Sequence, residues 1–337
     1  MLERYRAELQ GRIAIYQTIR QFPEQFLKSW KLLRESKDLA PWRRLDGAKI
    51  FYAAMGGSSL PADLLNDYFE GAFKLELIRD YQLPKSANSD DLVIAASFSG
   101  NTEETLSVFE EAQRKHCRLI ALSNGGKLKE MAEAAKVPWI PIPDCIQPRC
   151  ATGYFFATLM GLLHRLGILE DSPEPLFTSL EDYLEVLQDA SEARGKELAS
   201  ALKDRVPIIY GPSNFAGAAR IWKIKFNENA KIQSFSNVFP ELNHNEMVGF
   251  TRLILKPALI FLESRFMDPR IHRRMDVTQE LLEKDIPIHR LSFKGQAPVF
   301  EMFESLAIAD FASYYLAKDY GIDPAPVEMV EAFKKAL

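Results

Sequence analysis

Residues 92–105 read LVIAASFSGNTEET, a stretch in which an apolar run leads into small hydroxyl residues around one glycine. The apolar run predicts a buried strand, and the acidic residues that follow predict the first turn of a helix. The turn between them places Ser97, Ser99 and Thr102 at a helix N-terminus, where unpaired N–H groups and a partial positive charge favour a phosphate. One hydroxyl suffices for an ordinary helix cap, so three hydroxyls with Gly100 favour a phosphate-binding loop instead.

Two further turns have the same small, polar character. MGGSSL contains Gly56, Gly57 and Ser58 after the first predicted strand, and LSNGGKL at 122–128 follows another. Because the carboxyl ends of parallel strands meet at one edge of a sheet, we expect all three turns to lie there. Neither glycine turn has the spacing of a P-loop or of a dinucleotide-binding fingerprint. A small phosphorylated ligand is therefore favoured over a nucleotide.

Strands and helices alternate along the chain, and this order predicts an α/β fold with parallel sheets flanked by helices on both faces. The chain's 337 residues favour two domains. A strand, a glycine-and-serine turn and a helix occur at 49–65 and again at 205–220, which suggests two domains of one fold. RLILKPALIFLES at 252–264 predicts a strand pair, or one long strand interrupted at Pro257. The predicted organisation is N-terminal helices at 1–45, a first domain at 46–170, a helical connector at 171–203, a second domain at 204–320 and a C-terminal helix at 321–337.

Composition excludes several classes of partner. The net charge of −4 and the lack of a basic run argue against nucleic acid as a partner. No apolar run approaches the ~18 residues of a membrane span, and the charged N-terminus lacks a signal-peptide core, so we expect a cytoplasmic protein. Three cysteines without C-x-x-C spacing fit a reducing compartment. The five scattered histidines lack metal-ligand spacing, so neither a metal nor a cofactor is expected.

Four charged residues stand out, and each also has an ordinary structural interpretation. Glu228 in IKFNENAKI can be a solvated helix-end glutamate, and His244 in FPELNHNEMVGF can be a surface or cap-bonded histidine. Arg149 in CIQPRCATGY can form an ion pair beside a buried helix, and Lys334 in EAFKKAL can be a solvated terminal lysine. The same residue types can also supply a base, an acid and a positive charge for proton-transfer chemistry.

Several of these stretches resemble a known family. SFSGNTEET and MGGSS resemble the sugar isomerase (SIS) domain, and QPRCATGY, NENAK, PELNHNE and DPAPV with FKKAL resemble the bifunctional phosphoglucose/phosphomannose isomerases. The resemblance extends from about Lys49 to the C-terminus. It implies two SIS domains and a metal-independent interconversion of glucose 6-phosphate and fructose 6-phosphate, together with mannose 6-phosphate, through an enediolate.

The resemblance also implies a role for each charged residue. Glu228 matches the position of the catalytic base, and Arg149 matches an arginine near the enediolate. His244 matches the ring-opening acid–base residue, which the family takes from the neighbouring subunit, so a homodimer is implied. A C-terminal lysine reaches the ring-opening site in the family, and the spacing from DPAPV favours Lys334 over Lys335. The sugar phosphate is expected on Gly56, Gly57, Ser58, Ser97, Ser99 and Thr102.

Two questions stay open at this point. Val327 lies about two turns before Lys334, where the dual-specificity enzymes are expected to carry a small hydroxyl residue, so turnover of mannose 6-phosphate is less firmly expected than that of glucose 6-phosphate. The alternative functions are an SIS isomerase for another sugar phosphate and a non-catalytic SIS regulator that binds a sugar phosphate. A regulator has no need of Glu228, His244 and Lys334 together, and the chain shows no basic helix-turn-helix segment.

Overall fold

The computed structural model describes residues 2–36 and 48–336. It divides into two compact units, a first unit of Phe22–Tyr183 and a second unit of Met1–Gln21 with Leu184–Leu337. In chain order the elements are α1 (Leu2–Arg20), α2 (Gln25–Glu35), β1 (Ile50–Ala53), α3 (Gly56–Phe69), β2 (Glu76–Ile78), β3 (Leu92–Ala96), α4 (Glu103–Arg114), β4 (Arg118–Ser123), α5 (Gly126–Ala135), β5 (Trp139–Pro141), α6 (Thr152–Arg165), α7 (Glu174–Leu202), β6 (Val206–Pro212), α8 (Ala216–Lys225), β7 (Phe235–Phe239), α9 (Leu242–Asn245), β8 (Pro257–Glu263), α10 (Pro269–Leu282), β9 (Ile288–Ser292), α11 (Pro298–Asp319) and α12 (Glu328–Ala336).

The first unit is built on a parallel sheet with the strand order β2-β1-β3-β4-β5. Every residue of β1 and β3 is buried, as expected where helices cover both faces of a parallel sheet. Phe109 of α4 and Leu128 of α5 pack with sheet residues such as Val93. The strand order reverses between β1 and β3, and ligands of such sheets bind outside the carboxyl ends at this point. Residues 97–102, which follow β3 there, are called the hydroxyl loop.

The second unit contains a parallel sheet of four strands with the order β7-β6-β8-β9. Its strand order reverses between β6 and β8. Tyr210 and Phe261 lie in its core with Met275 of α10. The N-terminal helix α1 also belongs to this unit. The Tyr16 hydroxyl of α1 donates to Glu192 of α7 at 3.1 Å, which attaches that helix.

The predicted α/β class with parallel sheets and flanking helices is confirmed. The prediction for residues 252–264 is wrong in its first half, because β8 begins only at Pro257. The apolar side chains before it are exposed, Ile254 most of all. The glycine turn MGGSS is also not a loop, since α3 begins at Gly56 and contains those residues in its first turn.

The predicted domain limits stay predictions. The predicted N-terminal helices at 1–45 correspond to α1 and α2 in part, and residues 37–45 lie outside the described residues. Within the described ranges, no helix combines the length and the apolar character needed to cross a bilayer.

Candidate active site

The hydroxyl loop has an internal hydrogen bond and is joined to the first turn of α3 by another, at the switch point of the first sheet. Ser97 Oγ and Thr102 Oγ1 lie 2.8 Å apart, and the backbone N–H of Phe98 donates to Ser58 Oγ at 2.9 Å. Ser58 and Ser97 are buried, whereas Ser99 is exposed at the tip of the loop. The structure therefore brings together the hydroxyls that the sequence singled out in two separate stretches.

These internal bonds do not exhaust the donors at this edge. Ser58 Oγ accepts from the backbone, so its own proton can be donated to a ligand, because a hydroxyl carries one donor and two acceptor sites. In the pair of Ser97 and Thr102 one hydroxyl donates to the other, which leaves the second proton for an oxyanion. The side chain of Thr102 makes no capping bond to α4. The loop can thus present neutral donors beside a helix N-terminus, the arrangement that binds phosphate.

The third predicted turn, at residues 122–128, packs against the hydroxyl loop. Gly100 has φ +70°, and a Cβ on it would lie 1.8 Å from the carbonyl oxygen of Gly125. Gly126 also has φ +70°, and a Cβ there would lie 2.3 Å from the carbonyl oxygen of Ser99. Leu128 N–H donates to Gly100 O at 2.8 Å. Only glycine allows the two backbones to approach this closely, so these glycines fix the shape of the loop.

Arg149 lies in the same unit, and its backbone packs against the first turn of α3. A Cβ on Gly57 would lie 2.6 Å from the backbone nitrogen of Arg149, so the glycine makes this approach possible. Arg149 is fully buried in a single 3₁₀ turn at residues 148–150. The buried amide of Gln25 in α2 secures that turn, because its Nε2 donates to Cys150 O at 2.7 Å. The backbone of Arg149 is thereby held next to the first turn of α3.

Glu228 lies in the second unit on a π-helical turn, Phe226–Ala230, which follows α8. The turn ends at Lys231, whose φ of +57° is left-handed. The Glu228 side chain is half-buried, whereas the neighbouring Asn229 is fully buried and donates through Nδ2 to Ser313 Oγ at 2.9 Å. Single π turns are rare and occur frequently at functional sites. The local structure thus distinguishes Glu228 from an ordinary glutamate at a helix end.

A buried ion pair flanks the same turn. Lys225 Nζ lies 2.5 Å from Asp310 Oδ1, and both side chains are almost fully buried. Together with the bond between Asn229 and Ser313, this pair ties the end of α8 to α11. The backbone that carries Glu228 is therefore held by two polar contacts from one helix.

His244 lies in the short helix α9 and is exposed. The adjacent acidic residues have structural partners. Glu246 accepts from the Tyr210 hydroxyl and from Asn237 Nδ2, and Glu241 accepts from Asn245 Nδ2 at 2.7 Å. Burial, together with the hydrogen bond to Glu246, raises the pKa of Tyr210. His244 is thus exposed together with Glu241 and Asn245, and those two side chains bond to each other.

Lys334 lies in helix α12 of the second unit. Its side chain is 61% exposed and pairs with Glu331 of its own helix at 3.1 Å. Helix α12 buries none of its residues. Val327, the predicted specificity position, is half-buried just before α12, and its carbonyl accepts from Val330 N–H at 2.9 Å. Among residues 2–36 and 48–336, no three His, Cys, Asp or Glu side chains are grouped to hold a metal ion.

The chain was compared with known proteins. Residues 191–337 match the family described as the bacterial phospho-glucose isomerase C-terminal SIS domain. The bifunctional phosphoglucose/phosphomannose isomerase of Caldicellulosiruptor bescii is 34% identical over 340 residues, with 96% of this chain and 98% of that protein covered. This chain belongs to the bifunctional phosphoglucose/phosphomannose isomerase family.

Other relatives agree with this membership. The bifunctional phosphoglucose/phosphomannose isomerase of Aquifex aeolicus is 31% identical over 96% of this chain and 98% of its own length. Among solved structures, the tagatose-6-phosphate ketose/aldose isomerase of Escherichia coli superimposes with a TM-score of 0.67 at 16% identity, covering 92% of this chain and 94% of that one. The latter likeness concerns the fold alone.

Sequence reasoning missed the residues that support the site of this bifunctional phosphoglucose/phosphomannose isomerase family member. Gln25 is one polar residue in an amphipathic helix, and nothing in its neighbourhood signals that it secures the turn of Arg149. In the sequence, Asn229 is only a short polar neighbour of Glu228. Its pairing with Ser313 joins positions that are 84 residues apart, and a single sequence does not reveal such a contact.

Proposed function

We propose that this chain is an aldose–ketose isomerase that interconverts glucose 6-phosphate and fructose 6-phosphate, and mannose 6-phosphate as well. The observation that carries the proposal is the half-buried Glu228 carboxylate on a π-helical turn, in a chain whose other unit presents a hydroxyl loop at a sheet switch point. Membership of the bifunctional phosphoglucose/phosphomannose isomerase family supports the same activity.

In this proposal the first unit binds the phosphate group. Ser58, Ser97, Ser99 and Thr102 donate to the phosphate oxygens, and Gly56 and Gly57 start α3 so that its N–H groups face the ligand. Hydrogen bonds to a charged oxygen are stronger than neutral ones, so four hydroxyls suffice without a lysine in the loop.

Glu228 is proposed to transfer the proton. Its carboxylate removes the proton from C2 of the open-chain aldose, and the electron pair of that C–H bond forms the enediolate. The same group returns the proton to C1 while the hydroxyl proton on O2 passes to O1, so that C2 becomes the carbonyl carbon of the ketose. Arg149 is proposed to stabilise the charge on the enediolate oxygens, because a guanidinium donates in a fixed planar geometry. The enediolate is planar at C2, so one intermediate serves both glucose and mannose 6-phosphates.

His244 is proposed to open the sugar ring, with Lys334 assisting at the ring oxygen. An imidazole titrates near neutrality, with an ordinary pKa of ~6.5, so it can donate to the ring oxygen and accept from the anomeric hydroxyl. The exposure of His244 suits a group that meets its substrate from outside its own fold.

A homodimer is proposed as the active form, with His244 acting in the pocket of the neighbouring subunit. The segment after His244 exposes an apolar series, namely Val248, Leu253, Ile254 and Leu255. The strand β7 before it lies at an edge of the sheet and leaves Phe235 half-exposed. Exposed apolar residues and open sheet edges mark protein–protein interfaces, and along the chain His244 lies between β7 and this apolar series.

A coupled assay tests the activity. Purified protein is offered glucose, mannose and amino-sugar 6-phosphates separately, and the formation of the ketose phosphate is followed. We expect turnover of glucose 6-phosphate and of mannose 6-phosphate. Binding of these sugars without turnover would instead favour the non-catalytic regulator, and turnover of the amino sugar alone would favour another SIS isomerase.

Mixing two inactive variants tests the shared site. Glu228→Gln and His244→Ala homodimers each lack one group in every site, whereas a mixed dimer contains one intact site and one doubly changed site. Random reassortment makes half of the dimers mixed, so about a quarter of the original sites are restored. The two variants are unfolded and refolded together, and the mixed dimers are confirmed by mass. Activity no higher than that of the parents would place His244 in its own chain or outside the reaction.

A further inference from the structure

The carboxyl edge of the second sheet contains a set of donors that is filled by a side chain of the same unit. Glu301 of α11 is fully buried, and its Oε2 accepts from Ser264 Oγ at 2.7 Å and from Arg265 N–H at 3.1 Å. Its Oε1 accepts from Arg265 Nε at 3.0 Å. A hydroxyl, a backbone N–H and a guanidinium thus converge on one carboxylate. The same donor types bind phosphate and other oxyanions in proteins.

These donors occupy the place in the second sheet that corresponds to the hydroxyl loop in the first. The strand order is β2-β1-β3-β4 in one sheet and β7-β6-β8-β9 in the other, so β8 corresponds to β3. Ser264 and Arg265 directly follow β8 beside the switch point between β6 and β8. The residues that directly follow the two strands, Ser97 and Ser264, are both buried serines, whereas Ser99 and Arg265 further along the two loops are exposed.

A second carboxylate accepts hydrogen bonds at the end of the neighbouring strand, β9. Glu304, one turn further along α11, accepts from Lys294 N–H at 2.7 Å through Oε2 and from Arg194 at 3.1 Å through Oε1. Gly295 allows the loop after β9 to contact this helix, because a Cβ there would lie 2.6 Å from the backbone nitrogen of Glu301. Two buried carboxylates therefore lie where an anionic ligand of this edge would bind, and they repel such a ligand.

We propose that Ser264 and Arg265 form an oxyanion cradle that the chain fills with its own Glu301 carboxylate. Each chain then binds a single sugar phosphate, on the hydroxyl loop, and the cradle opens to inorganic phosphate when the Glu301 carboxylate is removed. The Glu301 carboxylate belongs to the same chain, so its effective concentration at the cradle is high and it outcompetes a free anion. The statement about the sugar phosphate rests on the proposed function, whereas the cradle itself stands on the contacts of Glu301.

Counting bound phosphate tests the proposal. Equilibrium dialysis with radiolabelled inorganic phosphate is applied to the full chain and to Glu301→Ala, Glu301→Gln and Glu304→Ala. We expect Glu301→Ala to bind one phosphate more than the wild type. Glu301→Gln fills the cradle without charge and should bind no more than the wild type. Glu304→Ala removes an equally buried carboxylate from the same helix but leaves the cradle filled, so it is the matched control.

Each outcome decides the matter. A folded Glu301→Ala protein with the wild-type count, or a wild type that binds two phosphates per chain, would overturn the proposal. If Glu301→Ala fails to fold, the test uses Glu301→Asp, whose carboxylate is shorter by one methylene and lies further from the cradle. If both variants fail to fold, the number of phosphates bound per wild-type chain decides. The measurement is separate from turnover. A wild type that binds no phosphate, or binds it without isomerising sugars, contradicts the proposed function, while the gain in Glu301→Ala still reports on the cradle.

Discussion

The carboxyl edges of the two sheets share a topology and differ in their side chains. At the first edge, glycines such as Gly57 and Gly100 bring backbones together, two hydroxyls of the hydroxyl loop bond to one another, and a backbone N–H of that loop donates to a hydroxyl of α3. At the second edge, Glu301 and Glu304 reach from α11 to the strand ends and occupy the donors there. The edge of the first sheet thus suits an anion, whereas the edge of the second sheet repels one. The fold supplies the position, and the side chains decide which ligand binds.

The second unit carries its candidate chemistry elsewhere, at the end of α8. There a π turn presents Glu228, while Asn229 and Lys225 are bonded to α11. Helix α11 therefore makes two sets of contacts in this unit. Its N-terminal turns accept hydrogen bonds at the sheet edge, and its later turns bond to the segment that carries Glu228. The comparison predicts that the two units respond differently to mutation, with binding affected in the first and turnover in the second.

The largest expected effect concerns the base. Glu228→Gln keeps the shape of the side chain but removes the proton acceptor, so kcat should fall by at least ~10² while phosphate binding is retained. Steady-state kinetics of glucose 6-phosphate isomerisation provide the measurement. Glu241→Gln is the matched control, because Glu241 is an exposed carboxylate of the same unit that bonds only to Asn245 among described residues. Wild-type turnover in Glu228→Gln would remove this residue from the proposed role.

The next effect concerns the fold of the hydroxyl loop. In Gly100→Ala the new Cβ meets a backbone carbonyl at 1.8 Å, in addition to the positive-φ strain. We expect the free energy of unfolding to fall by about 2–3 kcal/mol, at the upper end of the range for such strain. Gly249→Ala in the second unit is the control, because a Cβ there has no neighbour within 4 Å and the position has no positive φ. Denaturant unfolding of both variants gives the comparison, and equal losses would contradict it.

Much of this architecture was predictable from local pattern. The apolar run at residues 92–96 predicted β3, and the hydroxyl residues after it predicted a helix start, because strand burial and helix ends leave strong local signals. The exposed apolar residues at 253–255 misled the same reasoning, since periodicity does not distinguish a buried strand from an apolar surface. The glycine turn MGGSS was placed at the correct sheet edge but assigned to a loop, whereas it is the first turn of α3.

Contacts between distant positions could not be predicted in this way. Gln25 bonds to Cys150, and Glu301 bonds to Ser264, across separations of 125 and 37 residues. Each of these residues is polar in a helix, so its burial follows from tertiary packing rather than from its sequence neighbours. The π turn at Glu228 has the same origin, because no composition rule separates it from the last turn of an α-helix.

A smaller effect is expected in the phosphate loop. Ser99→Ala and Thr102→Ala each remove one hydroxyl donor to the proposed phosphate, which should weaken substrate binding by about 1–3 kcal/mol, or about 5- to 150-fold in KM. The turnover number should change far less than the binding constant. Ser86→Ala, an exposed serine of the same unit, is the control. An unchanged KM, together with unchanged inhibition by sugar-phosphate analogues, would mean that the loop serves only as a cap.

The smallest effect concerns the support of the base. Ser313→Ala removes the acceptor of the buried Asn229 amide, and an unsatisfied buried donor is destabilising by about 1–3 kcal/mol. Because Asn229 adjoins Glu228 in the π turn, we expect kcat to fall by about 5- to 10-fold, on the order of 1 kcal/mol, with KM unchanged. Ser305→Ala is the matched control, since Ser305 is an equally buried serine of α11 whose hydroxyl donates to Met302 O at 2.7 Å. Both variants should lose stability in denaturant unfolding, but Ser313→Ala alone should lose turnover. Equal kcat values in the two variants would show that Asn229 and Ser313 stabilise the fold without positioning the base.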